Sequence, residues 1–204
     1  MAIWIWKRRG RKAVRKYPVP LTMHQLWMVS LSAPVNRDRD ASRTTLYPFT
    51  RIDDDKAGRW LADQWEITSR AELVGRLDGL ARTGYRAGAR RRLGVEPLAW
   101  DAGLYVDITR RGFACGMLGE ADAWTALKNI VPAVVRSYAS WNEYAEHYLL
   151  GRMVWRENLR GTPDAPAPQA VSDAHLTSLL DPANRASPWN MAPWHAISHP
   201  DHAR

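Results

Sequence analysis

Six charged residues between positions 101 and 152 are the side chains best placed to do chemistry. They lie near glycines or at predicted helix ends, and they are Asp101, Asp107, Arg110, Glu120, Glu143 and Arg152. If helix packing brings several of them together, the arginine forks can hold a phosphate or carboxylate ligand. Two carboxyl groups in such a site can also act as an acid/base pair. The alternative is a set of ion pairs that only fix helix register, since structural networks perturb pKa values as functional sites do.

Histidines offer two further patterns. Glu143 and His147 stand four residues apart on a predicted helix, a spacing that can place two metal ligands on one face. No matching pair occurs on another predicted helix, so we interpret them as a surface pair. His195, His199 and His202 close the chain and could hold a metal weakly, at the cost of ordering a Pro-rich segment. We therefore predict no metal site and no cofactor.

The remaining catalytic signatures are absent from the sequence. It contains no Gly-rich phosphate loop, zinc-finger spacing, nucleophile elbow or dinucleotide fingerprint. The single cysteine, Cys115, has apolar neighbours and is expected to be a buried thiol. One cysteine excludes an internal disulfide and fits a reducing compartment. No apolar run reaches 18 residues, and the first apolar residues precede the basic ones, the reverse of a secretory signal. We expect a cytoplasmic protein.

The basic character of the chain is concentrated at its start. The 204 residues carry a net charge of +8, of which residues 1–16 contribute seven basic side chains and no acid. The rest is nearly neutral, with 22 basic and 21 acidic residues. This tail could bind the phosphates of a nucleic acid, or it could lie on an anionic membrane with its tryptophans at the level of the headgroups. The third alternative is a solvated arm that binds neither. Its candidate contact residues are Trp4, Trp6, Lys7, Arg8, Arg9, Arg11, Lys12, Arg15 and Lys16.

Helices must position all of these residues, because strand signals are weak throughout. Apolar residues at helical spacing predict helices over 21–33, from Asp53 to Trp65, and from Ser69 to Gly84. Further helices are predicted over 98–111, 120–139 and 140–158, with a kink or break at Pro132. Ser69 with Glu72 and Ser140 with Glu143 form capping boxes. The predicted fold class is all-α: one irregular bundle of about six to eight helices with a Trp-rich core.

This pattern divides the chain into three parts. Residues 1–20 are a basic tail, residues 21–158 are the helical domain, and residues 159–204 hold a Pro-rich linker, a short helix over 174–180 capped by Ser172, and a loosely structured C-terminal tail. Trp189 and Trp194 in that tail are expected either to fold back on the body or to dock a partner.

Four stretches within residues 21–157 resemble an uncharacterised bacterial family, domain of unknown function 1266. The most specific is Ser140-Trp141-Asn142-Glu143-Tyr144, followed by Tyr148, Leu149, Gly151-Arg152 and Trp155. The others are Gln25-Leu26-Trp27 through Ala33, then Trp65-Glu66-Ile67 with Ser69-Arg70 and Gly84-Tyr85-Arg86, and Ala99-Trp100-Asp101 with Arg110, Gly112, Gly116 and Ala123-Trp124. The family has Gly where Glu66 stands and Arg where Leu104 stands. The resemblance implies a helical bacterial domain and brings no established activity.

Three hypotheses of function follow. The first is a non-enzymatic module that binds a protein partner, immunity-like or stress-related, since Trp, Tyr and Arg dominate binding hot spots. The second is a small-ligand or hydrolytic enzyme that uses the six charged residues, and it requires at least three of them to line one pocket. The third is attachment to nucleic acid or a membrane surface through residues 1–16. The absence of a catalytic motif favours the first.

Overall fold

The computed structural model describes residues 21–35, 46, 54–160 and 169–197. These residues form helices and connecting turns, and no strand occurs among them, so the all-α prediction is confirmed. In chain order the helices are α1 (Met23–Ser30), α2 (Asp54–Trp65), α3 (Arg70–Arg82), α4 (Arg86–Leu93), α5 (Leu98–Ala114), α6 (Glu120–Ser137), α7 (Trp141–Arg160), α8 (Gln169–Leu180) and α9 (Pro188–Met191), followed by a 3₁₀ turn over Trp194–Ile197. No helix within the described ranges is long and apolar enough to cross a membrane.

Helix α5 lies at the centre of the bundle. Every residue from Leu98 to Arg110 is buried, and α2, α3, α6 and α7 pack around it. A helix buried on all sides must pair its polar side chains internally, because they cannot reach water. Two of its charged residues, Asp101 and Arg110, bond groups on neighbouring elements.

The helix starts follow the local sequence. The Ser69 hydroxyl accepts from the Glu72 N–H at 3.3 Å, and the Glu72 carboxylate accepts from the Ser69 N–H at 2.9 Å. The Ser140 hydroxyl likewise accepts from the Glu143 N–H at 3.2 Å. The Glu143 carboxylate accepts from the N–H of Ala139 at 2.6 Å. The capping box predicted at Ser69 is formed. At Ser140 the hydroxyl caps the helix as predicted, but the Glu143 carboxylate bonds the residue before the cap and not the cap residue itself.

Three helices differ from the predictions. Residues 86–93, which no predicted helix covers, form α4. Helix α6 runs through Pro132 without a break, since this residue is exposed and water can bond the carbonyl that its missing N–H leaves free. Helix α8 begins at Gln169, so the predicted cap Ser172 lies inside it.

The tryptophans of the C-terminal segment are part of the core, which corrects the expectation of a loose tail in residues 181–197. Trp189 is 2% exposed and stacks on Trp141 with ring centroids 5.0 Å apart and planes at 7°. Its indole N–H donates to the Ser30 carbonyl at 3.0 Å. Trp194 packs edge-on against Trp141 at 4.7 Å. The segment therefore folds back on the body, while the predicted division into folding units at residue 158 stays a prediction.

Truncation of Trp189 should be costly, because it removes a large buried ring and the donor for Ser30. We expect Trp189→Ala to lower the free energy of unfolding by about 3–5 kcal/mol, measured by urea denaturation. Met191, on the same short helix and 41% exposed, provides the control: Met191→Ala should change stability by less than about 0.5 kcal/mol. Equal effects of the two variants would contradict the packing of this segment.

Candidate functional site

Asp101 fixes the turn between α3 and α4. Its carboxylate is fully buried and accepts from the N–H groups of Tyr85 at 2.8 Å and Arg86 at 3.1 Å. The Arg86 guanidinium also donates to it at 3.0 Å, and further to the Leu80 and Ala81 carbonyls at 2.7 Å each. Burial raises the pKa of Asp101, and the bonds from Tyr85 and Arg86 oppose that shift. The network joins the end of α3, the start of α4 and the first turn of α5.

Arg110 is the second buried charge of α5. It is 1% exposed, and it donates to the Ser32 hydroxyl at 2.9 Å and the Leu46 carbonyl at 3.4 Å. Burial lowers the pKa of Arg110 to about 10, which still leaves it charged at neutral pH. Asp107, also buried, accepts from the Nε of Arg111 at 2.9 Å. These contacts are structural: Arg110 attaches α5 to the segment that follows α1.

The other predicted ligand residues lie elsewhere. Glu120 and Glu143 are exposed in the first turns of α6 and α7, and Arg152 is half-buried on α7. His147 is half-buried, with its ring 5.1 Å from that of Tyr138. No group of three His, Cys, Asp or Glu side chains in the described parts of the chain could hold a metal ion. A ligand-binding role for the six charged residues stays a prediction. The basic tail lies outside the described residues.

A cleft of about 520 Å³ runs along one face of α3. None of the six charged residues lines it. Its helical lining residues recur at intervals of one, three and four along Glu72–Thr83, which span about 16 Å at 1.5 Å per residue. Trp65, Glu66 and Ile67 close one end, and Gly84 and Tyr85 close the other. We call this feature the α3 cleft; its helical residues are Glu72, Gly75, Arg76, Gly79, Leu80 and Thr83.

Two glycines form the floor of the α3 cleft. Gly75 and Gly79 lie one turn apart inside α3, and a Cβ added at either position would meet nothing within 4 Å. Glycine inside a helix costs roughly 1 kcal/mol relative to alanine. Packing against the described residues therefore does not explain these glycines, and their effect is to leave backbone open at the floor.

A cation stacked on an aromatic ring closes one end. The Arg76 guanidinium lies over the ring of Trp65 at 5.7 Å and donates to the Trp65 carbonyl at 3.3 Å. Trp65 is 8% exposed, and its buried indole N–H has no acceptor in the described structure. Glu72 precedes Arg76 by four residues, the usual spacing of a helical ion pair. Its carboxylate instead accepts from the N–H and hydroxyl of Thr68 at 2.7 and 2.9 Å, and these bonds lower the pKa of Glu72.

The backbone at the same end is in a left-handed conformation. Glu66 has φ of +56°, the only positive φ of a non-glycine residue within the described ranges. It ends α2: the Glu66 N–H donates to the Ala62 carbonyl at 3.0 Å, the bond that closes a helix with a left-handed residue. Glycine is favoured at such a position. Sequence reasoning did not find the α3 cleft, although Glu66 and the two glycines inside a predicted helix were its visible signals.

Comparison with known proteins gives one result. The family model described as protein of unknown function (DUF1266) matches residues 88–194, more than half of the chain. The match includes α5, α6 and α7 and ends at Trp194, and the α3 cleft lies just before it. No curated protein and no solved structure matches the chain.

Gly84 should tolerate no side chain. Its φ is +56°, and a Cβ there would overlap the Asp101 carboxylate. We expect Gly84→Ala to lower the free energy of unfolding by about 3–5 kcal/mol, since it adds left-handed strain and displaces a buried charge network. Gly94 is the matched control: its φ is +71°, but a Cβ would meet nothing within 4 Å. Gly94→Ala should cost only about 1–2 kcal/mol. Similar losses in urea denaturation would show that the contact with Asp101 contributes nothing.

Relief of the strain at Glu66 should stabilise the protein. We expect Glu66→Gly to raise the free energy of unfolding by about 0.5–1 kcal/mol. The substitution removes the strain of a left-handed residue with a Cβ, but part of this gain is offset because glycine has more conformational freedom in the unfolded chain. Glu66→Ala removes the same carboxylate but keeps the Cβ, so it should give no gain. A gain in both variants would assign the effect to the carboxylate and not to the backbone.

Proposed function

The chain belongs to the DUF1266 family of proteins of unknown function, and we propose that it is a non-enzymatic protein-binding module that docks a partner segment in the α3 cleft. The observation that carries the proposal is the open floor formed by Gly75 and Gly79. Two glycines at this spacing weaken α3. They also allow the backbone of another chain to approach the helix closely, which is a physical reason to keep them.

The shape of the cleft favours a polypeptide over a small molecule. All lining residues come from one continuous stretch, residues 65–85. The cleft therefore has a floor and two ends, and no other part of the described chain roofs it. Small-molecule sites bury most of their ligand, whereas a length of about 16 Å matches roughly five residues of extended chain or three turns of helix.

The residue types at its two ends fit the same function. Trp65 and Arg76 lie at one end and Tyr85 at the other. Trp, Tyr and Arg are the residue types most enriched among binding hot spots. Trp65 is held by Arg76, and Tyr85 by the bond from its N–H to Asp101. A surface already held in place loses little entropy on binding.

The two other hypotheses find less support. A ligand or hydrolytic site needs several of the six charged residues in one cavity, but Asp101 and Arg110 are buried in contacts that attach α5 to its neighbours. Attachment to nucleic acid or membrane concerns residues 1–16, outside the described structure. It is an independent hypothesis, and deletion of those residues followed by measurement of retention on heparin and anionic vesicles tests it.

If the glycines serve binding and not folding, alanine should improve the fold. We expect Gly75→Ala with Gly79→Ala to raise the free energy of unfolding by about 1–2 kcal/mol in total, because alanine favours the helix and its methyl group meets open space. Urea denaturation measures the change. A loss of stability would show that folding itself requires glycine at these positions.

A larger side chain in the α3 cleft should prevent the partner from binding. Wild type should retain a stoichiometric protein from native lysate, and Gly79→Leu should lose it. Val74→Leu is the matched control, since Val74 is 49% exposed on α3 but does not line the cleft. Thermal unfolding checks that each variant is folded. Equal retention by both variants would exclude the cleft as the docking surface, and the lack of any stoichiometric partner would count against a binding module.

A further inference from the structure

We infer that the segment docked in the α3 cleft carries one carboxylate group, and that the Arg76 guanidinium recognises it. This inference rests on the proposed function of the cleft and names the chemistry of its partner: a peptide segment with a single acidic residue.

The Arg76 guanidinium has N–H donors available for such a ligand. It carries five N–H donors, and its recorded contacts are the carbonyl of Trp65 at 3.3 Å and the face of the Trp65 ring. No carboxylate lies within ion-pair distance of it among the described residues. Because stacking already restrains this planar group, it loses less entropy when a carboxylate binds than a freely moving side chain would.

Two acidic side chains close to Arg76 along α3 are engaged elsewhere. Glu72 has the right spacing for an ion pair, but its carboxylate serves as the cap of α3 with Thr68 and Ser69. Asp78 pairs with Arg82 at 2.6 Å, and neither of these two residues lines the cleft. The capping box thus leaves the positive charge of Arg76 available for a carboxylate from outside the described chain.

Trp65 holds Arg76 in place at the same end of the cleft. The Arg76 guanidinium lies 5.7 Å from the centroid of the Trp65 ring and donates to the Trp65 carbonyl at 3.3 Å. A carboxylate has two oxygens, so it can accept from two of the other N–H groups of this guanidinium.

The carboxylates of the cleft limit the partner to a single acid. Glu66 and Glu72 line the same end as Arg76. Like charges placed beside them are disfavoured, so acidic residues at neighbouring positions of the docked segment would weaken binding. The geometry therefore selects one acidic residue flanked by neutral ones, and it disfavours an acidic run.

A library of random dodecapeptides displayed on phage, panned against the full-length protein, tests this. We expect enriched peptides to carry one Asp or Glu. In solution, measured by fluorescence polarisation, changing that acid to its amide should weaken binding to wild type by about tenfold, as expected for the loss of a charge-assisted bond. The same change should have little effect on binding to Arg76→Gln, while Arg76→Lys should keep part of the preference. This coupling separates recognition from a packing role of Arg76.

The outcomes distinguish this inference from the proposed function. If Gly79→Leu abolishes binding but the acid-to-amide change in the peptide has no effect, the cleft is a docking surface and the carboxylate inference is wrong. If peptides bind equally to Gly79→Leu and wild type, or if none is enriched, the cleft does not dock peptides and both proposals fail. If Gly79→Leu removes binding and the acid dependence needs Arg76, both stand.

Discussion

The buried carboxylate of Asp101 is the interaction on which the rest of the described structure depends. It lies in the first turn of α5, the helix that the bundle encloses, and it holds the turn between α3 and α4 through two backbone N–H groups and the Arg86 guanidinium. Gly84 allows this contact because a side chain there would occupy the position of the carboxylate. Tyr85, in the same turn, closes the far end of the α3 cleft. The buried Asp101 carboxylate therefore helps to determine the shape of this cleft at the surface.

The aromatic residues complete the enclosure of the bundle. Trp141 stacks on Trp189, contacts Trp27 and Trp194, and donates its indole N–H to the Ala192 carbonyl at 2.9 Å. Residues far apart in the chain are brought together in this way, with α1, α7 and the C-terminal segment meeting at one cluster. Large rings bury much apolar area for each ordered residue. Short elements such as α9 can therefore contribute to the core although they would not be stable alone.

Several local features that folding does not require occur together at the α3 cleft. It combines two glycines inside a helix, a left-handed glutamate, an arginine without a carboxylate partner among the described residues, and a buried indole donor with no acceptor there. The helical glycines, the left-handed glutamate and the unpaired indole donor are each unfavourable for stability. Natural proteins tend to break local rules where function requires it, and the concentration of such features on one surface is why the binding proposal is placed there.

The sequence by itself determined most of the helices, the capping box at Ser69, the hydroxyl cap at Ser140 and the family, because these depend on neighbours within a few residues and on a recognisable pattern. It also showed glycine and glutamate at the positions that later proved unusual. Only the tertiary structure decided what the charges do. Asp101 and Arg110 resemble ligand residues in sequence but are held by groups on other elements, which no local pattern reveals. The start of α4, the return of Trp189 to the core and the pairing of Arg76 with Trp65 likewise depend on contacts between elements, and a linear sequence does not encode those distances locally.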